Sequence, residues 1–235
     1  MHNKKLLLIL AVVLFLCSSG LWAGDIASFV DLGFSPDGRT YMFAQYGIQS
    51  RTLKPWADLF VVDVPKNNFV SGGRVSFVND APVVSGQDGS GALFRLVAQN
   101  AALAERYRIN YCLQGRPLYI ALNNTPAEAL GQLPVAFTDF VTGARYSAVI
   151  VPYVEGSGAS LSSSFYINLE RIARDGSRKT YVVGTPQIKR PLIASYSIRR
   201  VMISPNDNSL IFAIEMKKQE GGDFDIRYMI EAAWL

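Results

Sequence analysis

Histidine is all but missing from this 235-residue chain, His2 being the only one. Ser-His-Asp and Cys-His catalysis therefore lack their base, and the usual histidine-rich zinc and iron centres lack their ligands. Cysteine is nearly as scarce, with Cys17 and Cys112 alone. Once a leader carrying Cys17 is removed, Cys112 has no partner and no intramolecular disulfide can form, so core packing must supply the stability. Cys112, inside the strand-like run INYCLQG, reads as a buried small hydrophobe rather than a nucleophile. Charge is modest at 18% of residues. The basic pairs at 189–190, 199–200 and 217–218 are scattered among acids and apolar positions, which gives nucleic acid no clustered face to bind. No Gly-x-Ser-x-Gly elbow occurs, and the Gly-Ser-Gly runs at 89–91 and 156–158 lack the lysine of a phosphate loop. No cofactor or metal is expected.

What is present begins with a targeting signal. Lys4 and Lys5 form a positive start, Leu6 to Leu16 is an unbroken apolar run, and Ser18, Ser19 and Gly20 follow as small residues. That order is the pattern of a secretory signal peptide, and the apolar run falls short of the ~20 residues a bilayer span needs. Cleavage between Ala23 and Gly24 is expected, with Gly20 as the alternative. Acylation at Cys17 is less favoured because Phe15 and Leu16 precede it where a lipobox has a small residue. The expectation is an exported chain, periplasmic or secreted, that meets the membrane only through its leader. Removing residues 1–23 leaves 21 basic against 19 acidic residues, an ordinary surface.

Residues 24–235 read as one mainly-β domain. The chain is 49% hydrophobic, with 11 Tyr and 13 Phe, a bias that suits half-buried pleated surfaces. Strands are expected at 40–46, 58–64, 73–78, 117–122, 144–154, 164–172, 179–184, 196–203, 209–216 and 225–234, where apolar and polar residues alternate between turns such as SPDG, RDGS and PNDN. The apolar runs FVVDV and AVIVPYV suit strands buried on both faces, which disfavours an outer-membrane barrel. One amphipathic helix is expected at 91–108, with Leu93, Leu96, Val97, Ala101, Ala104 and Tyr107 on one stripe. A short helix at 126–131 is expected from the capping box Thr125-Pro126-Ala127-Glu128.

Two segments echo each other. In 34–63 and 203–232 an apolar residue precedes a Ser-Pro turn, a strand follows, and a loop leads to a second, Asp-led strand. The turns are Ser35-Pro36-Asp37-Gly38 and Ser204-Pro205-Asn206-Asp207, the second with Asp207 where glycine would stand. This unit resembles the blade repeat of the Tol-system propeller and of WD-like propellers, which implies propeller-blade-like or sandwich-like antiparallel hairpins. A closed propeller takes at least four blades, and a helix occupies the middle where a further unit would stand. The two segments are expected to pack as neighbouring antiparallel hairpins in one sheet system. Taken whole, GDIASFVDLGFSPDGRTYMFAQYG (24–47), DLFVVDV (58–64), the central helix and YSIRRVMISPNDNSLIFAIEM (196–216) resemble a bacterial family of predicted secreted proteins, a domain of unknown function. The resemblance implies export and no assigned chemistry.

For function, the loop 47–57 with Tyr46, Arg51, Lys54 and Trp56 offers aromatic and cationic anchors on a rigid sheet, with packing of Trp56 in the core as the competing reading. The reading is a non-catalytic interaction module whose partner is an envelope protein or polymer. The alternative is a histidine-free hydrolase of envelope polymers, drawing two carboxylates from Asp37, Asp58, Asp63, Asp139, Glu155, Asp223 and Asp225. Calcium at Asp223/Asp225 or at Asn206/Asp207/Asn208 has oxygen donors but not the ligand spacing of a calcium loop.

Overall fold

The computed structural model describes residues 24–122, 134–220 and 223–235, so the leader and the short helix expected at 126–131 lie outside the described residues. The chain is mainly β and antiparallel, as its alternation implies. Among the described residues thirteen strands run in order: β1 (Ser28–Phe34), β2 (Thr40–Ile48), β3 (Pro55–Asp63), β4 (Asn68–Val78), β5 (Arg116–Ile120), β6 (Val135–Thr138), β7 (Arg145–Glu155), β8 (Ser162–Ile172), β9 (Arg178–Val183), β10 (Arg190–Pro191), β11 (Ile193–Ile203), β12 (Ser209–Glu220) and β13 (Asp223–Trp234). Helices α1 (Ser90–Gln99) and α2 (Ala101–Arg106) lie between β4 and β5.

The strands form three open sheets. The first has the order β1-β2-β3-β4, the second β10-β8-β7-β6 with β9 also on β8, and the third β13-β12-β11-β5. The third sheet is the middle layer, because alternate residues of its strands serve two different cores. Val201, Ile203, Leu210, Phe212 and Ile214 pack with Phe137, Ile150, Phe165, Ile167 and Leu169 of the second sheet. Met202, Ile211, Ile230 and Ala232 pack with Phe34, Tyr41, Phe43 and Val62 of the first. The far face of the first sheet, Met42, Ala44, Leu59 and Val61, is covered by Ala92, Leu93, Leu96 and Ala104 of the helices. The layers thus run helices, first sheet, third sheet, second sheet, and this is the sandwich-like form of the expectation. No barrel closes among the described residues, and three multistranded sheets are one short of the four blades a closed propeller needs.

Several expectations need correction. The expected single helix breaks at Asn100 (φ −113°), whose side-chain amide donates to the Leu96 carbonyl at 2.8 Å and closes α1 early. The break rotates the stripe, so that Ala101 is exposed while Ala104 stays buried. Cys112 lies in a turn and is exposed rather than buried in a strand. FVVDV is covered on both faces, but AVIVPYV buries only Ala148 and Ile150 fully, with Tyr153 and Val154 about half exposed. The two echoing hairpins are neighbours face to face, in different sheets, rather than side by side in one.

The echo itself is physical. Ser35 and Ser204 each donate their backbone N–H to the carbonyl five residues on (Thr40 and Ser209, both 2.9 Å), and each hydroxyl accepts the returning N–H (2.9 and 3.1 Å). Gly38 (φ +68°) and Asp207 (φ +56°) take the same left-handed position, which aspartate tolerates better than most side chains.

β13 would be an exposed edge of the middle sheet, but three of its outward N–H groups are taken by the first sheet and its approach segment. Ile226 donates to the Asp25 carbonyl (2.8 Å), Tyr228 to Gln45 Oε1 (2.7 Å) and Ala232 to Asn67 Oδ1 (2.7 Å). Side chains stand in for a missing strand and blunt the edge against pairing with another chain.

Candidate functional sites at the two sheet ends

Successive turns place functional groups at opposite ends of the layers. At one end, the 49–54 turn and the first residues of β13 meet the segment 24–27 around a cavity of about 320 Å³ lined by Gly24, Asp25, Gln49, Ser50, Arg51, Thr52, Asp223, Asp225 and Arg227. Its wall is a clasp. Arg227 lies 3.3 Å from both the Asp25 and the Asp225 carboxylates, and donates to the Asp25 carbonyl at 3.1 Å. Asp25 N–H donates to Asp225 (2.8 Å), and Asp25 accepts the Ser50 N–H (2.5 Å). The segment pairs in parallel with β13 through Ile26 and Ile226. The Arg227 guanidinium also stacks 4.3 Å over Trp56, which is buried.

This cavity unites residues that the sequence offered separately: Gly24 from the expected cleavage site, Arg51 from the candidate loop, and Asp223 and Asp225 from the calcium reading. Tyr46 goes elsewhere, packing with the helix-side core, since Tyr46 and Trp56 stand on opposite faces of the first sheet. The candidate loop is shorter than 47–57, for β2 runs to Ile48 and β3 starts at Pro55, leaving a tight turn closed by Gln49 N–H to Lys54 carbonyl (2.9 Å). Lys54 closes that turn and does not line the cavity. Asp25 and Arg227 escaped the sequence reading; the available signal was Asp25's place one residue beyond Gly24 of the expected cleavage site.

At the opposite end three turns are wired together. Asn206 donates its side-chain amide to the Asp37 carbonyl at 2.8 Å, joining the two echo turns. Arg116 of β5 reaches both Asp207 (2.7 Å) and Asp139 in the turn between β6 and β7. Asp139 is fully buried and also accepts the Thr142 hydroxyl (2.7 Å) and the Val141 N–H (3.0 Å). Burial pushes its carboxyl up, but these hydrogen bonds and the Arg116 charge outweigh it and hold the group at about 2. Above this locked base, Phe140 is 94% exposed and Val141 69%. Asp37 is held below the ordinary carboxyl range by its hydrogen bonds from Ser35 and Arg39.

The remaining carboxylates are dispersed. Asp58 accepts from Gln45 at 3.0 Å, Asp63 pairs with Lys66, and Glu155 pairs with Lys189 at the far tip of the second sheet. Glu231 is buried between Asn67 of the first sheet and Arg190 of the second, and burial pushes its carboxyl up. No group of three or more His, Cys, Asp or Glu side chains among the described residues is arranged to hold a metal ion.

No helix among the described residues is long and apolar enough to cross a membrane. Neither a curated protein nor a solved structure matches the chain. A family model does: described as "Predicted secreted protein (DUF2259)", it matches residues 42–233, from within β2 to within β13, with β1, the Ser35–Gly38 turn and the 24–27 segment outside the match, and the chain belongs to that family.

Proposed function

We propose that this protein is an exported, non-enzymatic binding module that engages an envelope protein or polymer through the turn between β6 and β7. The observation that carries this reading is the display of Phe140 and Val141 on a turn whose base is immobilised. Large apolar side chains at a turn tip gain nothing for the fold when left in water, and covering a phenylalanine is worth ~1.5–3 kcal/mol. Aromatic anchors of this kind dominate many interfaces, and a turn already fixed by Asp139, Arg116 and Thr142 has little ordering cost left when it binds. The carboxylate chemistry at this turn favours the same reading. The Asp139 carboxyl at this end is pushed down and tied to a guanidinium, whereas a general acid for glycoside hydrolysis needs one pushed up.

Sedimentation with envelope fragments tests the proposal. Purified mature protein is expected to pellet with the fragments, and the Phe140→Ser/Val141→Ser double variant to stay in the supernatant. Both side chains are exposed, so the variant keeps the wild-type melting temperature and serves as its own folding control. Equal pelleting of both proteins, or a wild type that never pellets, would overturn the reading.

A further inference from the structure

We propose that the partner met by the turn between β6 and β7 is an acidic protein, one that offers an apolar pocket to Phe140 inside a rim of carboxylates. This rests on the binding role argued above and adds the chemistry of the partner. The observation behind it is the charge beside the turn. The hairpin joining β8 to β9 and the first residue of β7 carry Arg145, Arg171, Arg174, Arg178 and Lys179, against Glu170 and Asp175 alone. Glu170 is engaged by Arg178 at 2.9 Å, and Asp175 by the Ser177 N–H and hydroxyl. Among the described residues Arg145, Arg174 and Lys179 have no carboxylate within ion-pair distance, and all three are exposed. Across the turn Arg116 is matched by Asp139 and Asp207, so this end of the layers keeps an excess of positive charge.

The cations stand around the apolar tip. Arg145 opens β7 directly after the turn, and a Cβ added at Gly143 within that turn would meet the Arg174 side chain at 3.3 Å, so the Arg174 stem lies against it. Arg145 and Arg178 flank Ile172 on the outer side of the second sheet, two strand spacings or about 10 Å apart. Lys179 stands on the other side, 5.0 Å over the Tyr181 ring. The hairpin tip is closed by the Ala173 N–H to the Ser177 carbonyl (2.8 Å) and the Gly176 N–H to the Ala173 carbonyl (2.9 Å), so these charges ride on a fixed turn, as Phe140 does. A projecting ring needs a concave receiver, which a folded protein provides. An extended polymer is instead held in a groove or along several rings, and the nearby Tyr119, Phe137, Tyr146 and Tyr181 are packed into the core. A bilayer is the weaker receiver, since two side chains carry less hydrocarbon than one myristoyl chain, which alone binds only marginally. Fixed cations around the anchor select a partner whose rim is acidic and speed its approach.

Sedimentation with envelope fragments separates this inference from the binding role itself. The wild type is expected to pellet at about 0.05 M NaCl and to be released at about 0.5 M, where the Debye length falls below about 5 Å. Arg174→Glu should bind about tenfold more weakly, while Arg106→Glu, the same charge change at an exposed position of α2, should bind as wild type does. Both positions are exposed, so unchanged melting temperatures serve as the folding control. Fragments digested with protease before mixing should carry down none of the protein, and neither should vesicles of phosphatidylethanolamine and phosphatidylglycerol. Pelleting that ignores salt, an Arg174→Glu variant that binds as Arg106→Glu does, or capture by digested fragments or by vesicles would overturn the inference. If the Phe140→Ser/Val141→Ser variant still stays in the supernatant, the binding role survives that outcome.

Discussion

Replacing Arg116 by Met removes the guanidinium that joins Asp139 and Asp207 while keeping most of the stem's apolar packing. The loss can be sized from the carboxyl it leaves behind. Asp139 is held at about 2 against an ordinary 3.8, a gap of nearly two pH units at ~1.4 kcal/mol each, or about 2 kcal/mol. Stripping a buried carboxylate of its partner costs ~3–5 kcal/mol where the site is sealed. Arg116 is about one third exposed, which puts the expected loss at the low end, about 2–3 kcal/mol at pH 7. For a domain of this size that is a drop of about 5–10 °C in Tm. The pH dependence has a definite sign. The native carboxyl is depressed, so its contribution is fully present above the unfolded value near 4 and is lost as pH falls through about 2, with about half surviving at pH 3. Urea unfolding of wild type and Arg116→Met at pH 7 and pH 3 should therefore show a difference that shrinks on acidification. An equal difference at both pH values, or no loss at pH 7, would refute the reasoning.

Two further outcomes follow from the sealed edge of β13. Asn67→Ala removes the acceptor of the Ala232 N–H and the side-chain partner of Glu231, and should cost about 1–3 kcal/mol in urea unfolding; an unchanged midpoint would show that the edge is not sealed by this side chain. Ending the chain at Phe224 deletes Ile230 and Ala232 from one core and Ala233 from the other, so circular dichroism should show no cooperative melt; a melt near that of the full chain would show β13 to be dispensable.

Much of this architecture was legible because its determinants are local. The alternation of Phe165, Ile167 and Leu169 with Tyr166, Asn168 and Glu170 is the pleat of β8, and the Ser-Pro turns recur with the same hydrogen bonds. Three strands escaped for identifiable reasons. β1 carries a bulge between Asp31 and Gly33, where Gly33 (φ +101°) lets the chain pass against the Asn110 carbonyl, and so the period of two is lost. β6 and β10 are too short, at four and two residues, to show a period at all. The helix break at Asn100 depends on one side chain choosing a backbone carbonyl over solvent. Of the sites, Arg51, Asp223 and Asp225 could be named in advance, but not that they meet, since residues about 170 apart are joined only by the stacking of the first and third sheets. Phe140 and Val141 were not singled out by any pattern in the sequence. Their exposure follows from the neighbouring Asp139 taking the buried position and turning them outward.

The most direct test of the binding role places a photo-crosslinking amino acid at position 140 in cells that export the chain, with Val182, 70% exposed on the outer face of the second sheet, as the control position. The account predicts a discrete higher-mass adduct from position 140 and none from position 182. An adduct at 182 with none at 140 would contradict it, as would illumination at 140 that yields only the unmodified chain.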